Sequence, residues 1–287
     1  METIGKQQLW SFVGDKADAS ITDCTAVRQD AGRPVSSYLE LATLVAELQF
    51  RNSDHVLLFR GQSGDHKNTK GSTSLKPTLF RPMTKGNPNA ARLQRRFAAL
   101  AEAESRLVVE YERAGLLGLD RLRRQRIVRW SVLQHYEVCR TPLLDVTHSL
   151  RIAASFATHG ARQEAFIFVF GVPNLSGGIT ASAEAGLQTI RLSSICPPSA
   201  LRPHIQEGYL LGEYPDLAGF DQKQNYYHYE IDFGRRLVAK FRIRPKQFWR
   251  EDTFPLICKE ALYPSEHADP LYGLALRVKR SLPDQDA

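Results

Sequence analysis

The pattern of apolar and polar positions predicts helices and separated strands rather than a regular alternation of the two. Segments 36–50, 87–113 and 121–136 have apolar residues at helical spacing. Segments 55–61 and 165–171 are short apolar runs, as in buried strands. The chain is therefore predicted to be α+β, with a central mixed or antiparallel sheet flanked by helices.

The same pattern divides the chain into an N-terminal extension and one domain. Residues 1–34 are polar and weakly patterned, and they predict an irregular or loosely docked extension. Residues 35–287 contain all the periodic segments and no internal repeat, so they are predicted to form a single domain. Near its end, segment 237–244 alternates in polarity, which predicts a half-exposed strand with a basic outer face. The basic residues of that face are Lys240, Arg242 and Arg244.

A polar cluster surrounds a short apolar strand in the middle of the chain. Gln134, His135 and Tyr136 come before the apolar residues 142–144, and Asp145 and Thr147 follow them at the start of an Ala-rich helix. Either Asp145 or Thr147 could cap that helix, and the same position could hold a phosphate. Folding alone does not require so many polar groups, so the sequence predicts a polar pocket here.

Arg60 and Gly61 end the strand predicted over 55–61, and Gln62 begins the polar loop that follows. A partly buried arginine needs an acceptor, because a lone buried charge is costly. That acceptor could be an internal carboxylate such as Asp145, or a phosphate or pyrophosphate gripped by the guanidinium fork. Gly61 would let a ligand approach the backbone closely.

His135 has two open interpretations. It could be a hydrogen-bonded structural residue, or it could act as a proton shuttle or as a donor to a ribose. Because Gln134, His135 and Tyr136 are consecutive, at most two of them can line one pocket. His135 and Cys139 lie four residues apart without further ligands in range, and the four cysteines form no CxxC pair, so no metal site is predicted.

A second polar set lies further along the chain. Arg202, Gln206 and Glu207 come before Gly208 and an apolar strand, and could line a pocket or clamp a loop. The turn at 263–266 supplies a carboxylate that is expected to be exposed and inert. No Ser/His/Asp elbow, P-loop, GxGxxG or HExxH motif occurs, so the hydrolases and kinases that use them lose support.

Charge and hydropathy restrict the partners without selecting one. The formal net charge is +7, which permits nucleic acid or another polyanion as a partner. Five arginines concentrated on one predicted helix could form a solvated face or a phosphate-binding stripe: Arg121, Arg123, Arg124, Arg126 and Arg129. The chain has neither an apolar run of ~18 residues nor a secretory signal pattern, so we expect a cytoplasmic protein that does not enter a membrane.

Several of these motifs together resemble the FRG domain, a family named for its Phe/Tyr-Arg-Gly motif. The resemblance extends over roughly residues 36–280, in the family's order. Its motifs are Phe59-Arg60-Gly61-Gln62, Leu75-Lys-Pro-Thr-Leu-Phe-Arg81, Leu133-Gln-His-Tyr, Thr141-Pro-Leu-Leu-Asp145-Val-Thr147, Ala154-Ser-Phe-Ala157, Arg202-Pro-His-Ile-Gln206-Glu-Gly208-Tyr and the closing Leu262-Tyr-Pro264 with Asp269-Pro-Leu271. One departure is Glu137, where the family commonly has Gly. Members occur widely in bacteria and phages.

A weaker resemblance connects the same motifs to arginine-type ADP-ribosyltransferases. It implies an ADP-ribosyltransferase-like fold in which Arg60 grips the pyrophosphate of NAD, while Asp145 and Thr147 hold the nicotinamide-ribose strand. Either Gln206 or Glu207 would occupy the acid position, and glutamine there would argue against transferase activity.

The two resemblances lead to one main hypothesis and two alternatives. The main hypothesis is a pocket for NAD or a similar nucleotide, in an ADP-ribosyltransferase or NAD glycohydrolase that acts as a toxin or phage-defence effector. Its cofactor-binding set would be Arg60, Gly61, Gln62, Gln134, Tyr136, Thr147 and Arg202, and its catalytic set Arg60, His135, Asp145, Gln206 and Glu207. One alternative is a non-enzymatic module that binds nucleic acid or protein through its basic faces. In the other, the polar residues only brace the fold.

Overall fold

A computed structural model describes residues 7–14, 18–81, 88–215, 220–223, 231–249 and 254–283. Its core is a large mixed sheet flanked by helices, which confirms the predicted α+β class. The strands are β1 Leu9–Ser11, β2 Ser20–Thr22, β3 Arg33–Val35, β4 Val56–Gln62, β5 Leu144–Thr147, β6 Ala165–Val172, β7 Ile179–Ser182, β8 Leu187–Arg191, β9 Gly208–Glu213 and β10 Leu237–Ile243.

Twelve helices are seen in the described parts of the chain, and the longer ones follow the predicted periodicity. They are α1 Cys24–Gln29, α2 Tyr38–Arg51, α3 Ala90–Arg113, α4 Leu119–Arg124, α5 Arg126–His135, α6 Leu150–His159, α7 Leu192–Ile195, α8 Leu201–Ile205, α9 Phe220–Lys223, α10 Pro245–Phe248, α11 Lys259–Leu262 and α12 Pro270–Ser281. A single turn of 3₁₀ helix covers Thr78–Phe80. None of the helices in these ranges is long and apolar enough to cross a membrane.

Eight strands form the main sheet in the order β3-β10-β6-β4-β5-β9-β8-β7. Strand β3 pairs parallel to β10, and the other neighbours pair antiparallel. Strand β6 is almost entirely buried because it lies between β10 and β4 and has no free edge. Strand β4 lies between β6 and β5, so Arg60 projects from an interior strand of the sheet.

The described residues of the segment predicted as a loose N-terminal extension, 7–14 and 18–34, instead pack against the core. Strands β1 and β2 form a small antiparallel sheet, and β3 extends the main sheet at its edge. Phe12, Cys24 and Val27 are buried in the same core cluster as the central strands. The prediction of loose docking was wrong. The apolar residues of this segment are few and widely spaced, so the sequence has no periodic pattern to show that they are buried in the same core.

The predicted basic outer face of segment 237–244 is wrong at Lys240, whereas Arg242 is half-buried and Arg244 is exposed. Strand β10 is an interior strand between β3 and β6, and Lys240 is buried rather than exposed. Its ammonium group donates to Asp65 Oδ2 and to Thr73 Oγ1, both at 2.8 Å. A buried ion pair of this kind ties the 63–75 segment, which follows Gln62, to the sheet.

Candidate functional site

A cavity of about 270 Å³ opens where the ends of α5 and α8 meet strands β4 and β5. It brings together eight of the residues predicted from sequence: Arg60, Gly61, Gln134, His135, Asp145, Thr147, Arg202 and Gln206. These residues come from four separate segments of the chain. A shared pocket requires these residues to converge, and polar residues scattered over the surface would not line one cavity.

Arg60 lies at the inner wall of the cavity and is only partly engaged by the protein. Its Nη1 donates to the backbone carbonyl oxygen of Asp145 at 2.5 Å, so its contact with that residue is not the carboxylate ion pair considered from sequence. Its Nε is buried without a hydrogen-bond partner in the described part of the chain. Burial lowers the pKa of Arg60, and the negative charge of Asp145 opposes that shift. A fixed guanidinium with an unused donor suits an anionic ligand.

The Asp145 carboxylate is held by side chains on α5 and remains partly open, with 37% of its side chain exposed. Gln134 Nε2 donates to Asp145 Oδ2 at 2.5 Å. The amide of Gln134 is oriented in turn by Thr141, whose Oγ1 donates to Gln134 Oε1 at 2.5 Å. Burial would raise the pKa of Asp145, but the adjacent His135, the charge of Arg60 and the hydrogen bond from Gln134 outweigh burial and hold that pKa below its usual range.

His135 lies beside Asp145, with a separation of 3.9 Å between Nδ1 and Oδ1. This distance is too long for a direct hydrogen bond. His135 Nε2 is buried without a partner among the described residues, and only 3% of the side chain is exposed. Burial lowers the pKa of His135, the carboxylate of Asp145 opposes that shift, and the positive charge of Arg202 adds to the lowering. The ring is therefore neutral near pH 7, which leaves it able to accept or donate one proton.

Asp145 and Thr147 are not helix caps, because both lie inside β5 and pair with β9. Helix α6 begins at Leu150 after Ser149, which makes no capping side-chain bond. Thr147 Oγ1 instead donates to the carbonyl oxygen of Gln206 at 2.8 Å and accepts from Ser149 N at 3.0 Å. The helix N-terminus predicted to hold a phosphate thus begins at the cap residue Ser149, two residues after Thr147 and four after Asp145.

Arg202 forms the wall opposite the strand ends. Its guanidinium lies 4.7 Å from the ring centre of Tyr263 and 5.6 Å from that of Tyr136. One Nη2 hydrogen donates to Glu137 Oε1 at 2.9 Å, while Nε is buried without a partner within the described ranges. The backbone N of Arg202 donates to Asp269 Oδ2 at 2.9 Å, which anchors α8 to the start of α12.

Three predicted site residues do not line the cavity. Tyr136 is buried, and its hydroxyl donates to Asp269 Oδ2 at 2.8 Å, so it braces α5 against α12. Glu207 is exposed. Gln62 lies within β4, opposite Phe166, with its Oε1 buried and unpartnered in the described chain.

Sequence reasoning missed six of the lining residues: Phe59, Glu137, Val146, Phe156, Gly208 and Tyr263. Three of them lie outside the strands of the sheet. Phe156 and Tyr263 form an aromatic wall, with ring centres 5.8 Å apart in an edge-to-face arrangement. The prediction that the turn at 263–266 is inert rested on its carboxylate, whereas the tyrosine of that turn lines the cavity. Glu137 is the third, and its place on the wall could have been suspected from its departure from the family's usual Gly.

The five clustered arginines do not form a stripe of free cations. Three of them pair with carboxylates within 3.0 Å, and Arg126 and Arg129 share the buried Glu104. Arg121 donates to the carbonyl oxygen of Ser194 at 2.8 Å. Arg124 remains highly exposed, at 4.0 Å from Asp120. No group of three or more metal-ligating side chains was found in the described part of the chain.

The lowered pKa values of His135 and Asp145 predict an acid-sensitive fold. The unfolded chain binds more protons than the folded one from about pH 6.5 downward at His135, and below about pH 4 at Asp145. The stability that these two groups contribute is therefore fully present above about pH 7 and is lost as the pH falls. We expect His135→Gln to flatten the fall in Tm between pH 7 and pH 5, measured by thermal denaturation. Burial also lowers the pKa of His55, so His55→Gln should remove a separate part of the slope, and an unchanged slope in His135→Gln would contradict the assignment.

Comparison with family models matches residues 55–165 to the model described as FRG domain. The matched segment includes the motifs around Arg60, Gln134 and Asp145, and it ends before Arg202 and Gln206. Comparison with curated proteins and with solved structures found no match. The motif order and the family match agree over this segment, and residues 55–165 are therefore identified as similar to the FRG domain.

Proposed function

We propose that the cavity binds NAD or a closely similar nucleotide and that the protein cleaves its nicotinamide-ribose bond. The observation that carries this proposal is the pair of guanidinium groups facing one cavity, Arg60 and Arg202, each with a buried Nε that has no partner among the described residues. Arginine forks match the paired oxygens of a pyrophosphate. The cavity is slightly below the usual range of small-molecule sites, about 300–1,000 Å³, so it would hold part of a dinucleotide.

The aromatic wall gives the same pocket a place for a flat ring. Phe156 and Tyr263 present ring surface beside the guanidinium of Arg202. A nicotinamide or adenine ring could stack there, while the phosphates reach the arginines. Aromatic side chains with a few converging polar groups are typical of nucleotide pockets.

Asp145 is the carboxylate that we assign to the chemical step. When the glycosidic bond breaks, its electron pair leaves with nicotinamide, and the ribose becomes an oxocarbenium-like cation. The ionised, partly exposed Asp145 would stabilise that positive charge. Water or an acceptor group then forms the new bond to the ribose carbon, and its proton passes to Asp145 or to solvent. With water the protein is an NAD glycohydrolase, and with an acceptor it is an ADP-ribosyltransferase.

The acid position inferred from the transferase resemblance needs revision under this proposal. Gln206 lines the cavity, but its Nε2 donates to the carbonyl oxygen of Leu262 at 2.7 Å, and Glu207 lies outside the lining. Asp145 and Glu137 are the acidic residues that line the cavity in the described chain. If the protein transfers ADP-ribose onto an acceptor that the target cell needs, it would act as a bacterial toxin or phage-defence effector.

The nucleic-acid alternative gains little from the same structure. The Arg126 and Arg129 side chains are committed to Glu104, and Lys240 is buried. Phosphate binding by Arg123, Arg126 or Arg129 would have to break existing ion pairs.

The proposal predicts nicotinamide release from NAD by the full chain, together with an NAD-induced rise in Tm. Arg60→Ala should raise KM about 10- to 100-fold, because it removes charge-assisted hydrogen bonds to phosphate. The control is Arg191→Ala, which removes an exposed arginine outside the cavity. Absence of both release and thermal shift in the wild type would overturn the proposal, and an equal KM in Arg60→Ala would remove Arg60 from the site.

A further inference from the structure

Glu137 occupies a backbone position that ordinarily belongs to glycine. Helix α5 ends in a Schellman motif, in which Glu137 N donates to Gln134 O at 3.0 Å and Val138 N donates to Leu133 O at 2.9 Å. Glu137 has φ of 55°, in the left-handed region that a glutamate adopts at a cost. The fold thus places a glutamate at a turn whose backbone conformation favours glycine.

This turn brings the Glu137 carboxylate to the mouth of the cavity, against Arg202. Its Oε1 lies 2.9 Å from Arg202 Nη2, and 66% of the glutamate side chain is exposed, against 9% for the arginine. Arg202 is the fixed partner, because its guanidinium lies against Tyr136 and Tyr263. Glu137 is the movable one, since an exposed ion pair in water is weak.

We propose that Glu137 is an internal competitor for the anion subsite on Arg202. Its carboxylate takes the position on Nη2 that an oxyanion of the ligand would use, so an anionic ligand must turn Glu137 outward when it binds. This proposal rests on the proposed role of the cavity in binding an anionic nucleotide. Within that role, Glu137 sets how strongly the cavity binds ligands of high negative charge.

The charge of the lining gives the direction of the effect. Arg60 and Arg202 supply two positive charges, while Asp145 and Glu137 supply two negative ones. Removing the Glu137 charge frees Arg202 and removes repulsion toward a phosphate group. The gain should be larger for pyrophosphate than for phosphate, because a more highly charged anion is repelled more strongly by the carboxylate.

The test is a calorimetric titration of the full chain with inorganic pyrophosphate and, separately, with inorganic phosphate. We expect Glu137→Gln to lower the Kd for pyrophosphate about five- to tenfold, with a smaller change for phosphate. The control is Glu260→Gln, which removes an equal charge from an exposed residue outside the cavity lining and should leave the Kd close to that of the wild type. Glutamine keeps the size of the side chain, and Tm verifies that each variant folds.

Several outcomes would overturn the inference. These are an equal Kd in wild type and Glu137→Gln, an equal gain in Glu260→Gln, or no pyrophosphate binding by either protein. Because pyrophosphate has no glycosidic bond, the titration is independent of the NAD reaction. A Glu137 effect without nicotinamide release would leave the inference standing and sink the proposed cleavage, whereas release without a Glu137 effect would do the reverse.

Discussion

Replacing Gly61 by alanine should destabilise the protein by about 3 kcal/mol or more, and it should prevent folding if the native state is only marginally stable. A Cβ atom at this position would lie 1.8 Å from the carbonyl oxygen of Ala153 and 2.7 Å from the backbone N of Ala157. Both atoms belong to the backbone of α6, so no rotation of a side chain can relieve the clash. Helix α6 would have to move away from β4, and the cavity wall would move with it.

The measurement is the free energy of unfolding from denaturant titration, with Gly64→Ala as the matched control. Gly64 follows the same strand, and a Cβ there would meet no atom within 4 Å. Its replacement should change stability by about 0.5 kcal/mol at most. Wild-type stability in Gly61→Ala would show that α6 does not pack as closely on β4 as the structure has it.

The glycine in the Arg-Gly motif illustrates how far sequence reasoning reaches. The strand and its terminal Arg-Gly pair follow from an apolar run that ends in polar residues, and both are seen in β4. The reason for Gly61 is different from the predicted approach of a ligand, because its missing side chain faces α6. The need for glycine at position 61 comes from the packing of α6, which is distant in sequence. A local sequence pattern does not show how closely that helix approaches β4.

The candidate site shows the same division. Local chemistry predicted which residue types would converge, since Arg60, Asp145 and Arg202 are costly to bury without a purpose. The helix period could not tell which of Gln134, His135 and Tyr136 faces the cavity, because the end of α5 turns there. Tyr136 is directed by Asp269, the N-cap of α12, which accepts a hydrogen bond from its hydroxyl. Gln134 is held instead by Asp145 and Thr141.

Asp145→Asn should lower kcat for nicotinamide release about 10³-fold and leave KM within about threefold of the wild type. The replacement is isosteric and can still accept the hydrogen bond from Gln134 Nε2. It removes the negative charge that the proposed step places beside the developing cation. Since Arg60 contacts the backbone oxygen of Asp145 rather than its carboxylate, the guanidinium should stay in place.

Steady-state kinetics of the full chain separate this role from a structural one. The control is Asp120→Asn, in which a highly exposed aspartate of α4 outside the cavity lining is neutralised, and its kcat should match the wild type. A raised KM with unchanged kcat would mean that Asp145 only helps to bind the nucleotide. A folded Asp145→Asn protein with full kcat would move the chemical step away from Asp145, and Glu137, the other carboxylate lining the cavity, would be the next residue to neutralise. A loss confined to kcat is the signature of a charge that acts in the transition state, because the ground-state contacts of the nucleotide would be retained.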